Sequence, residues 1–504
     1  MTERTTPSSG ATAAPQPRRR GRRPLVVGAS LTAASLAGGL IVVDPMGLRG
    51  KGPESAAEVL PASTSAVVEF DVEPDLLQVA ELATFAGKVK PLQQWAPPGD
   101  GGDLREKLWK SVAGPCAGVD YATKVKPWLG RKVAVATVDG SDARVWTVQV
   151  RDEQAARGGV AELASCGLVP DGVAVRDDFL VLAQDDATAL RLVDEGRQEP
   201  LAQRAEYAED TRRTAQSGLV KFWTTKQQLV ALSRTSQADA LTRRLGSVAP
   251  RLVEEGRAAD WRSGAGVLRF SGGVPEVKLV VKSNQPHKAS TTEMGLASLP
   301  HDSVLGFGIS DGDEVLRHSW PQVQHVLARL GVDVPQLAKR HHLEAPGDVE
   351  TVLGKDFKVS FSPAERPVER VQELPMQLQS IGRSRKSPDA VESIVQKSGV
   401  QEQGWQPARR RRTLALSKDP QRSAMVLRTK KRLTQDETFR SAYPKPEQAQ
   451  VGVYANLQAL GPIAVNAAPP TLKPWVEALG AVGANAHNED ANYSVMRVAV
   501  TPRG

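Results

Sequence analysis

Residues 60–77 read LPASTSAVVEFDVEPDLL, and residues 299–316 read LPHDSVLGFGISDGDEVL. Both open on Leu-Pro, pass through an alternating run and turn on acidic residues toward a leucine. Three further pairs follow in the same order. KPWLGRKVAVATV from Lys126 answers ETVLGKDFKVSFS from Glu350, and FLVLAQDDATAL from Phe179 answers TLALSKDPQRSA from Thr413. GLVKFWTTKQQL from Gly218 answers VGVYANLQAL from Val451. The offsets are all on the order of 225–240 residues, which fits two related units rather than a solenoid of small ones. The reading sets a first unit at residues 60–285 and a second at 299–504, with a junction near Ser283–Leu299.

Local patterning gives each unit short strands interleaved with helices. Val68, Phe70 and Val72 alternate with Glu69 and Asp71, the signature of a half-buried strand, and Pro74 sits where a helix would open. Strands are expected at Lys132–Val138 and Arg144–Val150, joined by an Asp139-Gly140-Ser141 turn. A helix over Asp152–Ser165 leads to a strand at Asp178–Ala183, after which Asp185 caps the next helix. Leu219–Trp223 reads as a strand, followed by a long helical stretch with Leu229, Leu232, Leu241 and Leu252. Gly266–Phe270 and Glu276–Lys282 close the unit, with Val277, Leu279 and Val281 alternating with lysines. The second unit ends on Asn492–Val500, where Met496, Val498 and Val500 alternate with Arg497. Strands linked by tight turns predict a mostly antiparallel sheet with helices laid against it, an α+β class in two tandem copies.

The leader reads differently. Residues 1–23 hold six arginines and one glutamate with no apolar face, the composition of a disordered tail. Residues 24–43 follow, with nineteen uncharged residues from Leu25 to Val43. As a helix that run is about 28 Å long, close to the roughly 30 Å hydrocarbon core of a bilayer. The arginines on its N-terminal side predict a cytoplasmic N-terminus and an extracytoplasmic body. A cleaved signal peptide is the competing reading, with Ser35-Leu36-Ala37 as the cleavage site, but the apolar run continues past it to Val43. The uncleaved signal anchor is preferred. Residues 44–59, rich in Gly, Pro, Ala and Glu, read as a flexible linker.

The LPxxSxxxVxFDVxP opening, the Trp128-Leu129-Gly130 step and the LVLAxxxxxA strand-to-helix unit together resemble actinobacterial membrane proteins that carry domain of unknown function 3352. The resemblance runs from about Val59 to the C-terminus. It implies a basic tail and one membrane segment, and it implies no activity and no functional residues.

Composition narrows the function classes. Apolar residues make 40% and charged residues 24% of the 504, ordinary values for globular protein. The pI is about 9.4. Five of the eight net positive charges sit in residues 1–23, so the body carries too small an excess for a phosphate-backbone surface, and nucleic acid is not an expected partner.

Four sets of residues carry candidate chemistry. Gly308-Ile309-Ser310-Asp311-Gly312 satisfies G-x-S-x-G between a strand and a helix, the place of a nucleophile elbow. That elbow belongs to a mostly parallel sheet, and the matching first-unit turn, Phe70-Asp71-Val72-Glu73-Pro74, has neither serine nor glycine. The seven histidines, at 287, 301, 318, 325, 341, 342 and 487, include a heptad pair at His318 and His325 but lack metal-ligand spacing. Arg409–Arg412, with Arg428, Lys430, Lys431 and Arg432, read as a solvated loop and a helix C-terminus, or as attraction to anionic envelope polymer or lipid. Cys116 and Cys166, both in the first unit, are the expected disulfide in an oxidising compartment. No catalytic residue, metal or cofactor is expected. The sequence reading is a membrane-anchored extracytoplasmic binding or scaffold protein of the cell envelope. The alternatives are a carrier of a lipid or other hydrophobic ligand and an envelope hydrolase, and any small site is expected between the two units.

Overall fold

The computed structural model describes residues 53–95, 104–139, 144–214, 217–232, 261–284, 295–317, 333–366, 368–428 and 430–504, with three single residues between them. The basic tail, the Leu25–Val43 run and the linker to residue 52 lie outside the described residues, as do His287, His318 and His325. Among the described residues no helix is long and apolar enough to cross a membrane.

The first eight strands are β1 (Thr64–Asp71), β2 (Leu129–Val138), β3 (Val145–Val150), β4 (Gly172–Arg176), β5 (Phe179–Ala183), β6 (Val220–Thr225), β7 (Trp261–Ser271) and β8 (Val274–Ser283). The second eight are β9 (Leu305–Ser310), β10 (Asp356–Phe361), β11 (Met376–Ile381), β12 (Gln406–Arg410), β13 (Thr413–Ser417), β14 (Val451–Asn456), β15 (Leu479–Asn488) and β16 (Tyr493–Pro502). All sixteen strands of the described residues join a single sheet. From its centre the order runs β8-β7-β6-β1-β2-β3-β5-β4 one way and β16-β15-β14-β9-β10-β11-β13-β12 the other, so the second eight strands repeat the order of the first. The class is α+β: an antiparallel sheet with helices packed on it.

Register carries the correspondence to single residues. One row across the sheet reads Ala174, Val181, Thr147, Ala134, Glu69, Lys221, Val267 and Lys278. It continues through Arg497, Asn485, Gly452, Gly308, Lys358, Gln379, Ala415 and Ala408. Lys278 and Arg497 therefore occupy the same place in their halves and face each other across the central strand pair. An approximate twofold axis passes between them. The packing on the row repeats as well. Tyr207 meets Trp223 edge-on at 5.6 Å in the first half, as Phe439 meets Tyr454 at 5.0 Å in the second.

Both faces of the first half-sheet are covered. On the face of the row, the helix Asp186–Gln198 and the turn Ala56–Glu58 close over Ala134, Ala136, Val145 and Val181. On the other, the helix Glu153–Ser165 closes over Val148, Leu180 and Leu182. Covering both faces changes the side that alternation predicts. Glu69, expected outside, is 6% exposed, and its carboxylate accepts bonds from Ser55 Oγ and the Ala56 amide at 2.8 Å. Lys278 and Arg497 likewise lie on the face of the row, whereas Met496 on the opposite face is 39% exposed.

Boundaries shift for local reasons. Asp75, not Pro74, opens the first helix, its side chain accepting from the Gln78 amide. The linker ends before residue 56, because Ala56, Ala57 and Val59 belong to the core. Strands β4 and β12 were not anticipated, and β7 begins five residues earlier than the sequence reading placed it. The Gly140-Ser141 turn and the helical stretch through Leu241 and Leu252 lie outside the described residues.

The two halves differ in polarity where their cores correspond. Ala134, Ala136, Val145 and Thr147 of the first half match Lys358, Ser360, Gln377 and Gln379 of the second by register. All four of the second set are buried. Gln377 Nε2 donates to Ser360 Oγ at 2.6 Å, and Lys358 Nζ donates to Ser298 Oγ at 2.6 Å. Burial pushes the Lys358 ammonium down to about 8. Small residues let a helix settle on this face: a Cβ on Gly452 or Gly483 would collide with Tyr443 or with the Ala442 carbonyl.

Candidate functional site at the seam of the sheet

The seam is the antiparallel pair β8–β16, where Glu276 faces Ala499, Lys278 faces Arg497 and Val280 faces Val495. Helices flank it on the face of the row, and their lengths break the twofold. The helix Ala205–Thr214 of the first half has ten residues, while its counterpart Glu437–Ala442 has six.

The longer helix fills its side. Asp210, fully buried, accepts from Trp223 Nε1 and from the Tyr493 hydroxyl, both at 2.9 Å. Burial and the Asp210 carboxylate together raise the Tyr493 phenol above its ordinary value. The Arg213 guanidinium lies 3.7 Å over the Tyr493 ring and pairs with Glu489 and Asp490 at 2.7 Å. Lys282 binds Glu209 at 2.7 Å beside the same ring. First-half and second-half residues alternate through this cluster, so it clamps the two halves together.

The shorter helix leaves its side open. Val274 stands where Tyr493 stands on the filled side, both being the first residue of their strands. A cavity of about 420 Å³ remains, bounded by Val274, Glu276, Glu437, Arg440, Pro444 and Ala499. Arg497, two residues along β16 from Ala499, is 5% exposed; its Nε lies 4.0 Å from Glu276, and its Nη1 has no hydrogen-bond partner. Asn485, beside it on β15, donates to the Pro444 carbonyl while its Oδ1 has no partner. His487 Nδ1 is buried without a partner as well. Burial, and then the Arg497 charge, lower both the Lys278 ammonium and the His487 imidazolium below their ordinary values. Burial also lowers the Arg497 guanidinium, against the pull of Glu276. Glu276 is engaged by Arg269 at 3.3 Å.

A second cavity, about 380 Å³, lies wholly in the first half, with Ser55, Glu69, Tyr207, Thr211 and Lys221 on its wall. Burial, and then the Glu69 carboxylate, raise the Tyr207 phenol.

The candidate site residues from the sequence that fall among the described residues lie away from the seam, with the exception of His487. The structure joins Cys116 and Cys166 in a disulfide, tying the turn Gly114–Cys116 to the end of the helix Glu153–Ser165. Ser310 ends β9 and is 2% exposed, between antiparallel neighbours β10 and β14, in a sheet unlike that of a nucleophile elbow. Asp311 and Asp313 after it bind Arg383 at 3.0 and 2.7 Å. By register Ser310 matches Asp71, as the pairing of residues 60–77 with 299–316 has it and one residue off the turn comparison over Phe70–Pro74, and Asp71 binds Arg131 at 2.7 Å. The turn therefore holds an acid–arginine pair in each half. Arg409–Arg412 are exposed, as a solvated loop would be, and form the end and turn of a β12–β13 hairpin at the sheet edge, with Arg411 in the left-handed region. Arg410 Nη1 donates to the Leu427 carbonyl, in the last turn of the helix Pro420–Arg428. His341 Nδ1 lies 3.3 Å from the Ser398 carbonyl. Among the described residues no group of three His, Cys, Asp or Glu is placed to hold a metal.

Lys278 and Arg497 entered the sequence reading only as the polar positions of their strands, and Asn485, Asp210 and Tyr493 were not singled out. The signal available was for the first two alone, a charged residue at the middle of each unit's last strand. Compared with protein-family models, with curated proteins and with solved structures, the chain finds no match.

Proposed function

We propose that the chain is a membrane-anchored, extracytoplasmic protein of the cell envelope that acts by binding rather than by catalysis, and that it arose by tandem duplication of one α+β unit. The family resemblance and the arginine-flanked Leu25–Val43 run support the anchor and its orientation. The repeated strand order supports the duplication. Binding is placed at the seam, and one observation carries that placement. The clamp that fills one side of the twofold is missing from the other, where a cavity lies beside the row of Arg497 and Asn485, two residues with hydrogen bonds left unmade. Such groups cost free energy when left alone and are satisfied by an occupant.

The test is recovery of the full-length protein from solubilised membranes, with bound molecules and partners identified by mass spectrometry. The expected outcome is recovery in the membrane fraction with a ligand or partner that is lost when Arg440 is changed to Glu at the cavity rim. Recovery in the cytosolic fraction, or a rim variant that keeps every bound species, overturns the reading.

A further inference from the structure

Two cations stand face to face at the centre of the sheet. Lys278 and Arg497 are direct cross-strand partners, and like charges directly opposite each other weaken a strand pair. Sequence equivalence did not require this arrangement, because the two neighbouring rows of the seam pair Glu276 with Ala499 and Val280 with Val495. More positive charge is close by. Lys445 and Arg269 both act on Lys278 electrostatically, and Lys445 acts on His487 as well. The nearby acids are shared: Glu276 lies 3.3 Å from Arg269 and 4.0 Å from Arg497, Glu489 is held by Arg213, and Glu447 also acts on Arg497. The result is a cluster of positive charge around one buried guanidinium, that of Arg497, with Lys278 half-buried opposite it. Arg497 Nη1 and His487 Nδ1 have no partner, and Lys278 Nζ reaches only the Arg213 carbonyl.

We propose that Lys278 and Arg497, with His487 beside them, form a binding site for a small oxyanion, a phosphate or carboxylate group, at the twofold of the sheet. The cavity over the adjacent Glu276–Ala499 row, bounded also by Glu437, Arg440 and Pro444, is the entrance this proposal assigns to it. An oxyanion supplies what the site lacks: acceptors for the unused donors and negative charge between two opposed cations. A guanidinium presents its donors in a fork that matches a carboxylate or phosphate edge, and a lysine adds a point charge. A metal cation is the wrong occupant, since it would meet the same positive field. The acids at the entrance, Glu276 and Glu437, restrict entry to a compact group rather than a long polyanion. The proposal rests on the seam as a binding surface and is independent of membrane attachment.

The experiment measures thermal melting and titration calorimetry of purified full-length protein with inorganic phosphate, with acetate, and with sodium chloride at matched ionic strength. Wild-type protein is expected to bind phosphate or acetate saturably and to melt at a higher temperature with it than with chloride. The two arms identify the group. Lys278→Gln is expected to weaken that binding at least about tenfold, a change that calorimetry reads directly. Lys88→Gln, an exposed charge change elsewhere, is expected to leave it intact. Arg497→Gln should abolish binding. Because Arg497 is buried and its loss can unfold the chain, Lys278→Gln carries the decision, read as the anion-dependent rise in melting temperature rather than as the baseline. The proposal is overturned if neither anion exceeds chloride, or if Lys278→Gln keeps the full anion-dependent rise. A cytosolic location of the protein would sink the proposed function and leave this result standing.

Discussion

The carboxylate of Asp210, in the first half, accepts the hydroxyl of Tyr493, in the second, at 2.9 Å and out of reach of solvent. This bond does more than lie on the interface. Asp210 also holds Trp223 Nε1, so the second half is tied to a residue at the centre of the first half's core. Removing the hydroxyl leaves a buried carboxylate oxygen with no donor. Tyr493→Phe is therefore expected to destabilise the folded chain by about 1–3 kcal/mol in chemical denaturation. A change below about 0.5 kcal/mol, the usual range for a surface substitution, would show that the clamp contributes little.

The polar core of the second half makes a sharper forecast. Gln377 and Ser360 hydrogen-bond each other where the first half has Val145 and Ala136. Replacing one partner strands the other, whereas replacing both by the first-half residues removes the polar atoms together. Ser360→Ala alone is expected to cost about 1–3 kcal/mol, and Ser360→Ala with Gln377→Val to recover most of that loss. The double-mutant cycle reads the coupling. Additive losses would mean that the space requires polar side chains for a reason other than their mutual bond.

How far the fold could be read from the sequence depended on the range of the interactions. Caps and strands set by neighbours were legible: Asp185 accepts from the Thr188 amide, and β5 begins within one residue of its expected start. The inward side of β1, β8 and β16 was not, because alternation assumes that one face meets water. Here helices and turns cover both faces at different points, so Glu69 and Arg497 are buried on the side read as outside. The seam was least legible. Pairing of β8 with β16 joins segments more than 200 residues apart, and neither strand's pattern specifies its partner. The cation pair at its centre appears only once that register is known.

Lys358 links the same core to pH. Its ammonium is pushed down to about 8 by burial, from an ordinary value of 10.5. Between those values the unfolded chain holds a proton there and the folded chain does not, so folding stability rises with pH across this window. The contribution is complete above about 10.5 and gone below about 8. Other groups titrate here too, so the quantity to measure is the difference between wild type and Lys358→Met. Lys358→Met is expected to be the more stable near pH 7, by an amount on the order of 3 kcal/mol, and the advantage should shrink as pH rises toward 10. A difference that stays flat from pH 7 to 10 would place the Lys358 charge in contact with solvent or a counterion.

The disulfide gives the last test. Cys116 and Cys166 close a loop across a sequence separation of 50, within the first half alone. Around it pack Tyr121, Val125, Trp128, Val160 and Leu163, a cluster of ordinary apolar core. The second half carries the same strand order without any cysteine, so the bridge reinforces a fold that stands without one. Closing a loop of this length contributes about 4 kcal/mol in the chain-entropy model, acting on the unfolded state. The double variant Cys116→Ala/Cys166→Ala is thus expected to fold with the native sheet, judged by circular dichroism, and to unfold at a lower denaturant midpoint. Mass spectrometry of unreduced, alkylated protein checks the premise: intact protein should carry no alkyl groups, and two alkylated thiols would remove the bridge. A double variant that cannot fold at all would contradict the comparison between halves, because the same framework would then depend on a crosslink in one copy and not in the other.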